Sequence, residues 1–289
     1  MLLAALVALA LAGPGDEPAS FAFAIGNGTL AGDAAEVGER YARFDLVVVD
    51  GEEARPAEIA AIQAEGASVL AYLSVGTIEG WRGWYDRLKR YRLQAWQDWK
   101  DEWYADTARA GLRRKLVRIA DEELLAKGFD GLFLDNVDMV EVRRHRAQRE
   151  GMGKLVARLD EVAEARGALL FAQNGARGVL RGYPGQGVAP LIAHLDGWNR
   201  EDVTWTYDFD RRRYEPNPAG DRDDALAELG QVAAAGLVTS ATDYVNLGNA
   251  SLAAECESAA NAASVDALSY VADIGLTQKA VAANPPDCA

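Results

Sequence analysis

Residues 124–138 read LLAKGFDGLFLDNVD, and the order of residue types in this stretch decides the fold. A helix-compatible segment stops at Gly128. A short apolar run, Gly131–Leu134, follows, and it ends abruptly in Asp135, Asn136 and, two residues on, Asp138. Glycine after a helix adopts the left-handed backbone conformation without steric cost and lets the chain turn back as a strand. The same junction recurs as IQAEGASVLAYL at residues 62–73, AEARGALLFA at 163–172 and VAAAGLVTSA at 232–241, with Gly66, Gly167 and Gly236 at the turns. The apolar runs are continuous rather than alternating, as expected of parallel strands buried on both faces.

The remaining runs give eight strand candidates: Phe21–Ile25, Leu46–Val49, Val69–Leu73, Gly131–Leu134, Leu169–Ala172, Leu195–Trp198, Leu237–Ala241 and Ala267–Val271. Helical patterns lie between several of them, at Ala57–Glu65, Gly111–Lys127, Lys154–Arg166, Asp223–Ala235 and Ser251–Ala263. Strands alternating with helices make a parallel sheet, and eight such units in 289 residues point to an α/β fold, a single-domain (β/α)8 TIM barrel. A doubly wound open sheet is the other reading. No internal linker interrupts the pattern.

The N-terminus, MLLAALVALALAGPGDEPAS, has an apolar run at Leu2–Ala12 that is shorter than the about 20 residues a membrane span needs. With small residues at Ala10 and Ala12 it reads as a signal peptide over residues 1–18, with a barrel domain over 19–289, although no Lys or Arg precedes the run. Such a chain is expected to be secreted or periplasmic, with no stable membrane span. Cys256 and Cys288 can then pair and pin the C-terminal tail to the last helices; two free thiols are the alternative.

Acids outnumber bases by 44 to 30, a formal net charge of −14. That surface repels nucleic acid and anionic lipid and attracts a polycation. Two scattered His and two Cys make no zinc site, and GNGTLAG near residue 26 lacks the spacing of a phosphate- or dinucleotide-binding loop. No metal or cofactor is expected.

In a barrel, chemistry sits where strands end. Those ends carry Asp50, Asp135 with Asp138, Gln173 with Asn174, Glu201 with Asp202, Asp243 with Tyr244, and Asp273. One such acid is an ordinary loop residue; acids at most of the ends point to a site. Five of the seven Trp (Trp81, Trp84, Trp96, Trp99 and Trp103) follow the third run, and Trp198 and Trp205 flank the sixth. Aromatic faces beside carboxylates suit sugar rings and bound cations.

Four segments in order, FDLVVVD (44–50), VLAYLSVGTIEGWRGWY (69–85), GFDGLFLDNVD (128–138) and SYVAD (269–273), closely resemble glycoside hydrolase family 114, the endo-α-1,4-polygalactosaminidase-like family. The resemblance covers roughly residues 21 to 280. It implies a (β/α)8 barrel, hydrolysis of α-1,4-linked galactosamine polymers, and two acids that fall on Asp135 and on Glu201 in GWNRED (197–202), where the wording departs somewhat from the family. Glycoside hydrolysis needs one ionised and one protonated carboxyl flanking the bond. Asp135, rigid at a strand end, is expected as nucleophile. Glu201 is expected as acid/base, on a longer loop near Trp198 and Trp205. Retention follows by analogy with α-galactosidase barrels. Asp50, Asp138 and Asp243 are expected to meet ammonium groups, and Tyr72, Asn136, Asn174 and Tyr244 to meet hydroxyls, with Trp198 also binding substrate. Asp50 and Tyr72 are the foremost pocket candidates. Asp130, before the buried run, reads as structural. A glycosidase for a neutral or N-acetylated polymer, or a non-catalytic polysaccharide-binding barrel, are the other readings.

Overall fold

A computed structural model describes residues 18–247 and 252–288. The expected signal peptide therefore lies almost wholly outside the described residues. Eight parallel strands form one sheet in chain order: β1 (Phe21–Ala24), β2 (Leu46–Asp50), β3 (Ser68–Ser74), β4 (Gly131–Asp135), β5 (Leu169–Gln173), β6 (Gly197–Glu201), β7 (Val238–Tyr244) and β8 (Leu268–Ala272). The first and last lie side by side, with Phe21 edge-on to Tyr270 at 6.1 Å, so the sheet wraps into a (β/α)8 barrel.

All four junction glycines, Gly66, Gly128, Gly167 and Gly236, have positive φ, between 65° and 103°. Each lets the chain re-enter the barrel directly after a helix, as its sequence context requires. Asp130 caps the bottom of the sheet: its Oδ2 accepts from the Val69 amide at 2.8 Å and the Gln63 amide nitrogen at 2.9 Å. The helices Pro56–Ala64, Arg149–Arg166 and Ala219–Ala233 turn apolar residues such as Ile59, Leu155 and Leu229 inwards onto the sheet. Inside the barrel, Phe23 packs on Phe133 at 5.0 Å and on Tyr72 at 6.2 Å, beneath the β3 and β4 ends.

Two excursions interrupt the β/α alternation, and both rise on the side where strands end. After β3 the chain builds a small antiparallel sheet from Thr77–Glu79, Arg92–Ala95 and Glu102–Ala105. After β6 it builds a hairpin, Trp205–Asp208 with Arg213–Pro216. Gly76 starts the first excursion where its backbone meets that of Asn136; a Cβ there would stand 1.7 Å from the Asn136 carbonyl oxygen. The expected Gly111–Lys127 helix is regular only over Ala110–Arg118 and continues as a wider turn at Ile119–Leu124 and a tighter one at Leu125–Lys127.

Cys256, on the helix Leu252–Ala263, is bonded to Cys288 with Cα atoms 5.6 Å apart, so the tail is tied to the last long helix. Among the described residues no helix is long and apolar enough to cross a membrane. The bond closes a loop of 32 residues. By loop-closure entropy its loss in Cys288→Ser should cost about 4 kcal/mol, read as a lower denaturant midpoint with a somewhat steeper slope, because the unfolded chain is no longer cross-linked.

Candidate active site

The strand ends enclose a cavity of about 310 Å³. Asp135, the last residue of β4, lies on its floor. Its carboxylate receives four donors: Tyr72 Oη to Oδ2 at 2.7 Å, Gln173 Nε2 to Oδ1 at 3.0 Å, the Asn136 amide to Oδ1 at 2.6 Å, and Asn136 Nδ2 to Oδ2 at 3.2 Å. Tyr72 is held as a neutral donor, because burial and then the Asp135 charge raise its pKa far above the usual phenol range. The Gln173 amide cannot turn over. Its Oε1 accepts from Asn199 Nδ2 at 2.9 Å, and Asn199 Oδ1 in turn accepts from Ser240 Oγ at 2.8 Å and Thr242 Oγ1 at 3.2 Å. Burial raises the Asp135 pKa, while Tyr72, Asn136 and Gln173 pull it back. A carboxyl surrounded only by donors favours its ionised form.

Glu201 is the last residue of β6 and lines the same cavity. The expectation of a longer loop is corrected: β6 runs on through Asn199 to Glu201, because these polar side chains face the barrel interior and are satisfied there. Tyr244 Oη donates to Glu201 Oε1, and Asn174 Nδ2 donates to Oε2 at 2.8 Å. Asn174 Oδ1 accepts from the Glu201 backbone amide at 3.0 Å, so one side chain holds both the backbone and the carboxyl of the residue. Burial, then the negative charges of Asp135 and Asp202, push the Glu201 carboxyl up to about 8, so it is protonated at neutral pH. Burial thus raises both acids, but the donors around Asp135 oppose the rise whereas neighbouring negative charge adds to it at Glu201, which drives the two apart. Removal of the Tyr244 hydroxyl should loosen Glu201 and raise its pKa further. In Tyr244→Phe, the alkaline inflection of any Glu201-dependent activity is expected to move to higher pH, read from a pH–rate profile.

Asn136, Asp138 and Asn174 also line the cavity, as do Tyr72 and Tyr244. Asn136 and Asn174 follow their strands with φ of 64° and 58°, a conformation asparagine tolerates better than most residues. The Asp138 carboxyl is pushed up to about 7 by burial and then by the Asp135 charge. Three residues expected to bind substrate are placed elsewhere. Asp50 is buried against Arg82, with Nη1 contacts of 2.6 and 2.8 Å, and also accepts the Glu52 and Glu53 amides. Asp243 Oδ1 accepts the Val203, Thr204 and Trp205 amides and so fastens the segment after β6. Trp198 is fully buried, its indole donating to the Asn174 carbonyl at 2.6 Å. None of the three lines the cavity, because each has found its partner inside the protein.

The excursions add lining residues not foreseen from strand ends, Glu79 and Glu102 from the first and Phe209 from the hairpin; Asp202, beside Glu201, also lines the cavity. Asp202 is pushed up to about 6, chiefly by burial. Of the Trp cluster, Trp81, Trp96 and Trp99 line the cavity, whereas Trp84 lies beside the Arg82 guanidinium at 5.8 Å and Trp103 beneath Arg92 at 4.3 Å. Trp205 packs against Val245, Ala254 and Val271 instead. Trp99 meets Phe209 edge-on at 5.6 Å, so the two excursions touch beside the cavity. Among the described residues the lining carries six carboxyl groups and no Lys or Arg.

Raised carboxyls carry a sign for stability. Glu102, Asp138, Glu201 and Asp202 bind protons more tightly folded than unfolded. Their stabilising contribution is complete below the unfolded value of about 4 and is lost as pH rises through about 6 to 8. The thermal midpoint should therefore fall between pH ~5 and ~8, and the fall should be shallower in Glu201→Gln.

Residues 8–184 match the model of glycoside-hydrolase family GH114. The chain belongs to this family. Asp135 and Asn174 lie within the matched region; Glu201 lies beyond it and rests on the geometry of the site. The glycoside hydrolase domain of PelA from Pseudomonas aeruginosa superposes with a TM-score of 0.71 at 26% identity, over 90% of this chain and 96% of that one. Ega3 of Aspergillus fumigatus, solved in complex with galactosamine, has a TM-score of 0.68 at 17% identity, over 90% and 93% of the two chains, a likeness of fold. An uncharacterized protein of Deinococcus radiodurans is 28% identical over 130 residues, 42% of this chain and 41% of that protein, so the match spans less than half of the relative's length.

Proposed function

We propose that this GH114 barrel hydrolyses α-1,4-linked galactosamine-containing polysaccharide, cutting within the chain and retaining anomeric configuration. The observation that carries the reading is the pairing, in one cavity, of a donor-surrounded Asp135 with a protonated Glu201. Asp135 attacks the anomeric carbon while Glu201 gives its proton to the departing glycosidic oxygen. Water then displaces Asp135 from the glycosyl ester, losing a proton to the Glu201 carboxylate. Six lining carboxyl groups, of which Glu79 is paired with Arg82 behind it, and no Lys or Arg among the described lining residues favour a chain bearing ammonium groups, and the excess of acids over bases steers it inwards. Trp81, Trp96 and Trp99 offer ring faces for neighbouring sugars, which suits cutting within a chain. The galactosamine in the Ega3 complex and the family membership support the substrate class. A secreted or periplasmic location fits the Cys256–Cys288 bond.

The test is release of oligosaccharides from partly deacetylated polygalactosamine by the wild type, Asp135→Asn and Glu201→Gln. Cleavage by the wild type, abolished in both variants, is the expected outcome. Full activity in both variants would remove the assignment. Binding without cleavage of any amino-sugar polymer would make the barrel a binding module.

A further inference from the structure

Glu79 and Glu102 are register partners on the antiparallel strands Thr77–Glu79 and Glu102–Ala105. Both line the cavity, and they expose only 7% and 5% of their surface. Like charges directly across a strand pair repel, and burial removes the water that would soften the repulsion. Glu79 is relieved by Arg82, whose Nε and Nη2 lie 2.8 and 3.2 Å from its carboxylate. Arg82 is then fully engaged, since it also holds Asp50. Glu102 forms no ion pair among the described residues. Its Oε1 accepts from Thr77 Oγ1, and no hydrogen bond among those residues reaches Oε2. A buried, cavity-facing carboxyl without its counter-ion is suited to receive one from a ligand.

The position of Glu102 relative to Asp135 narrows what that ligand group is. Thr77 Oγ1 also contacts Ser74 Oγ at 2.5 Å and Asn136 Nδ2 at 3.3 Å, and Asn136 Nδ2 reaches Asp135 Oδ2 at 3.2 Å. A short, buried run of hydrogen bonds thus ties Glu102 to the floor where the anomeric carbon would sit. In a 2-amino sugar the amine is on the carbon next to the anomeric one. We propose that Glu102 is a specificity-determining residue whose carboxylate pairs with the 2-ammonium group of the sugar whose anomeric carbon faces Asp135. This inference rests on the function proposed above and adds to it the residue that distinguishes a free amine from an N-acetyl group.

Burial, together with Glu79 and Asp135 and against Thr77 and Arg82, pushes the free Glu102 carboxyl up to about 8. An arriving ammonium ion favours the carboxylate, so binding below that pH sends the Glu102 proton to solvent while the ammonium keeps its own.

The test is calorimetric binding of short galactosamine oligomers and their N-acetylated counterparts to Glu201→Gln and to Glu102→Gln/Glu201→Gln, at about pH 6.5 in buffers of different ionisation heat. The double variant should lose about tenfold or more in affinity for the amine oligomers and about twofold or less for the N-acetylated ones. The Glu102 component of proton release should vanish. The thermal midpoint of the double variant should be unchanged or higher, because an amide keeps the shape of the protonated carboxyl and carries no charge to bury. Equal loss for both ligands, no loss, or unchanged proton release would overturn the assignment, as would failure of Glu201→Gln to bind amine oligomers. Binding that follows the expected pattern in a wild type that cleaves nothing would sink the hydrolase reading and leave Glu102 as the amine-recognising residue.

Discussion

Asp135→Asn should lower kcat on partly deacetylated polygalactosamine roughly ten-thousand-fold or more, the scale of losing one member of a covalent catalytic unit. The substitution nearly preserves shape, so substrate affinity should change little. It replaces an anionic oxygen by an amide nitrogen that cannot attack carbon. It also turns an N–H₂ group towards two of the four donors that now converge on the carboxylate. Loss of a charge that burial opposes offsets part of the stability cost of those unmatched donors. Initial rates of reducing-end release measure the loss. A chemical check uses Asp135→Ala with azide. Azide should attack the vacated face of the anomeric carbon, Glu201 should protonate the leaving oxygen, and a glycosyl azide of inverted configuration should form. Activity of Asp135→Asn within about tenfold of wild type would remove Asp135 from the covalent role.

Glu201→Gln should cost about 10²- to 10⁴-fold in kcat on the polymer, the usual yield of general acid–base catalysis. The loss should depend on the leaving group. An activated aryl glycoside, whose phenolate departs without help, should be spared in the bond-breaking step relative to the polymer. The wild-type kcat/KM should fall as pH rises through about 8, where Glu201 loses the proton it must donate. Residual activity of Glu201→Gln should lack that alkaline limb. A limb that persists unchanged would belong to another carboxyl of the lining, such as Glu102, also pushed up to about 8, or Asp138, pushed up to about 7.

The barrel was readable because its signal is local. A glycine that ends a helix and the apolar run after it are neighbours in sequence, and all four such glycines take positive φ. The β6 boundary was misplaced for a physical reason. Asn199 and Glu201 look like loop residues, yet Asn199 is buried among Gln173, Ser240 and Thr242 inside the barrel. Strand ends also located Asp135, Asp138, Asn174, Glu201 and Tyr244 at one cavity, since the C-terminal ends of parallel strands converge there.

Asp50 and Asp243 occupy the same kind of position but are consumed by partners distant in sequence: Arg82, and amides 38 to 40 residues upstream of Asp243. Nothing local distinguishes a carboxylate that faces solvent from one that faces an arginine yet to be placed. Glu79, Glu102 and Phe209 escaped notice because they belong to excursions whose placement depends on tertiary contacts such as Trp99 on Phe209 and Gly76 against Asn136. The faint signal was the Trp-rich insertion between the third and fourth strands, longer than a β/α turn requires.

Proton NMR of the first products released by the wild type from an α-1,4-galactosamine polymer tests activity, substrate and the roles of Asp135 and Glu201 together. A double displacement through Asp135 predicts that new reducing ends appear first as the α anomer and only later equilibrate with β. Reducing ends that appear first as β, or none at all, would contradict it.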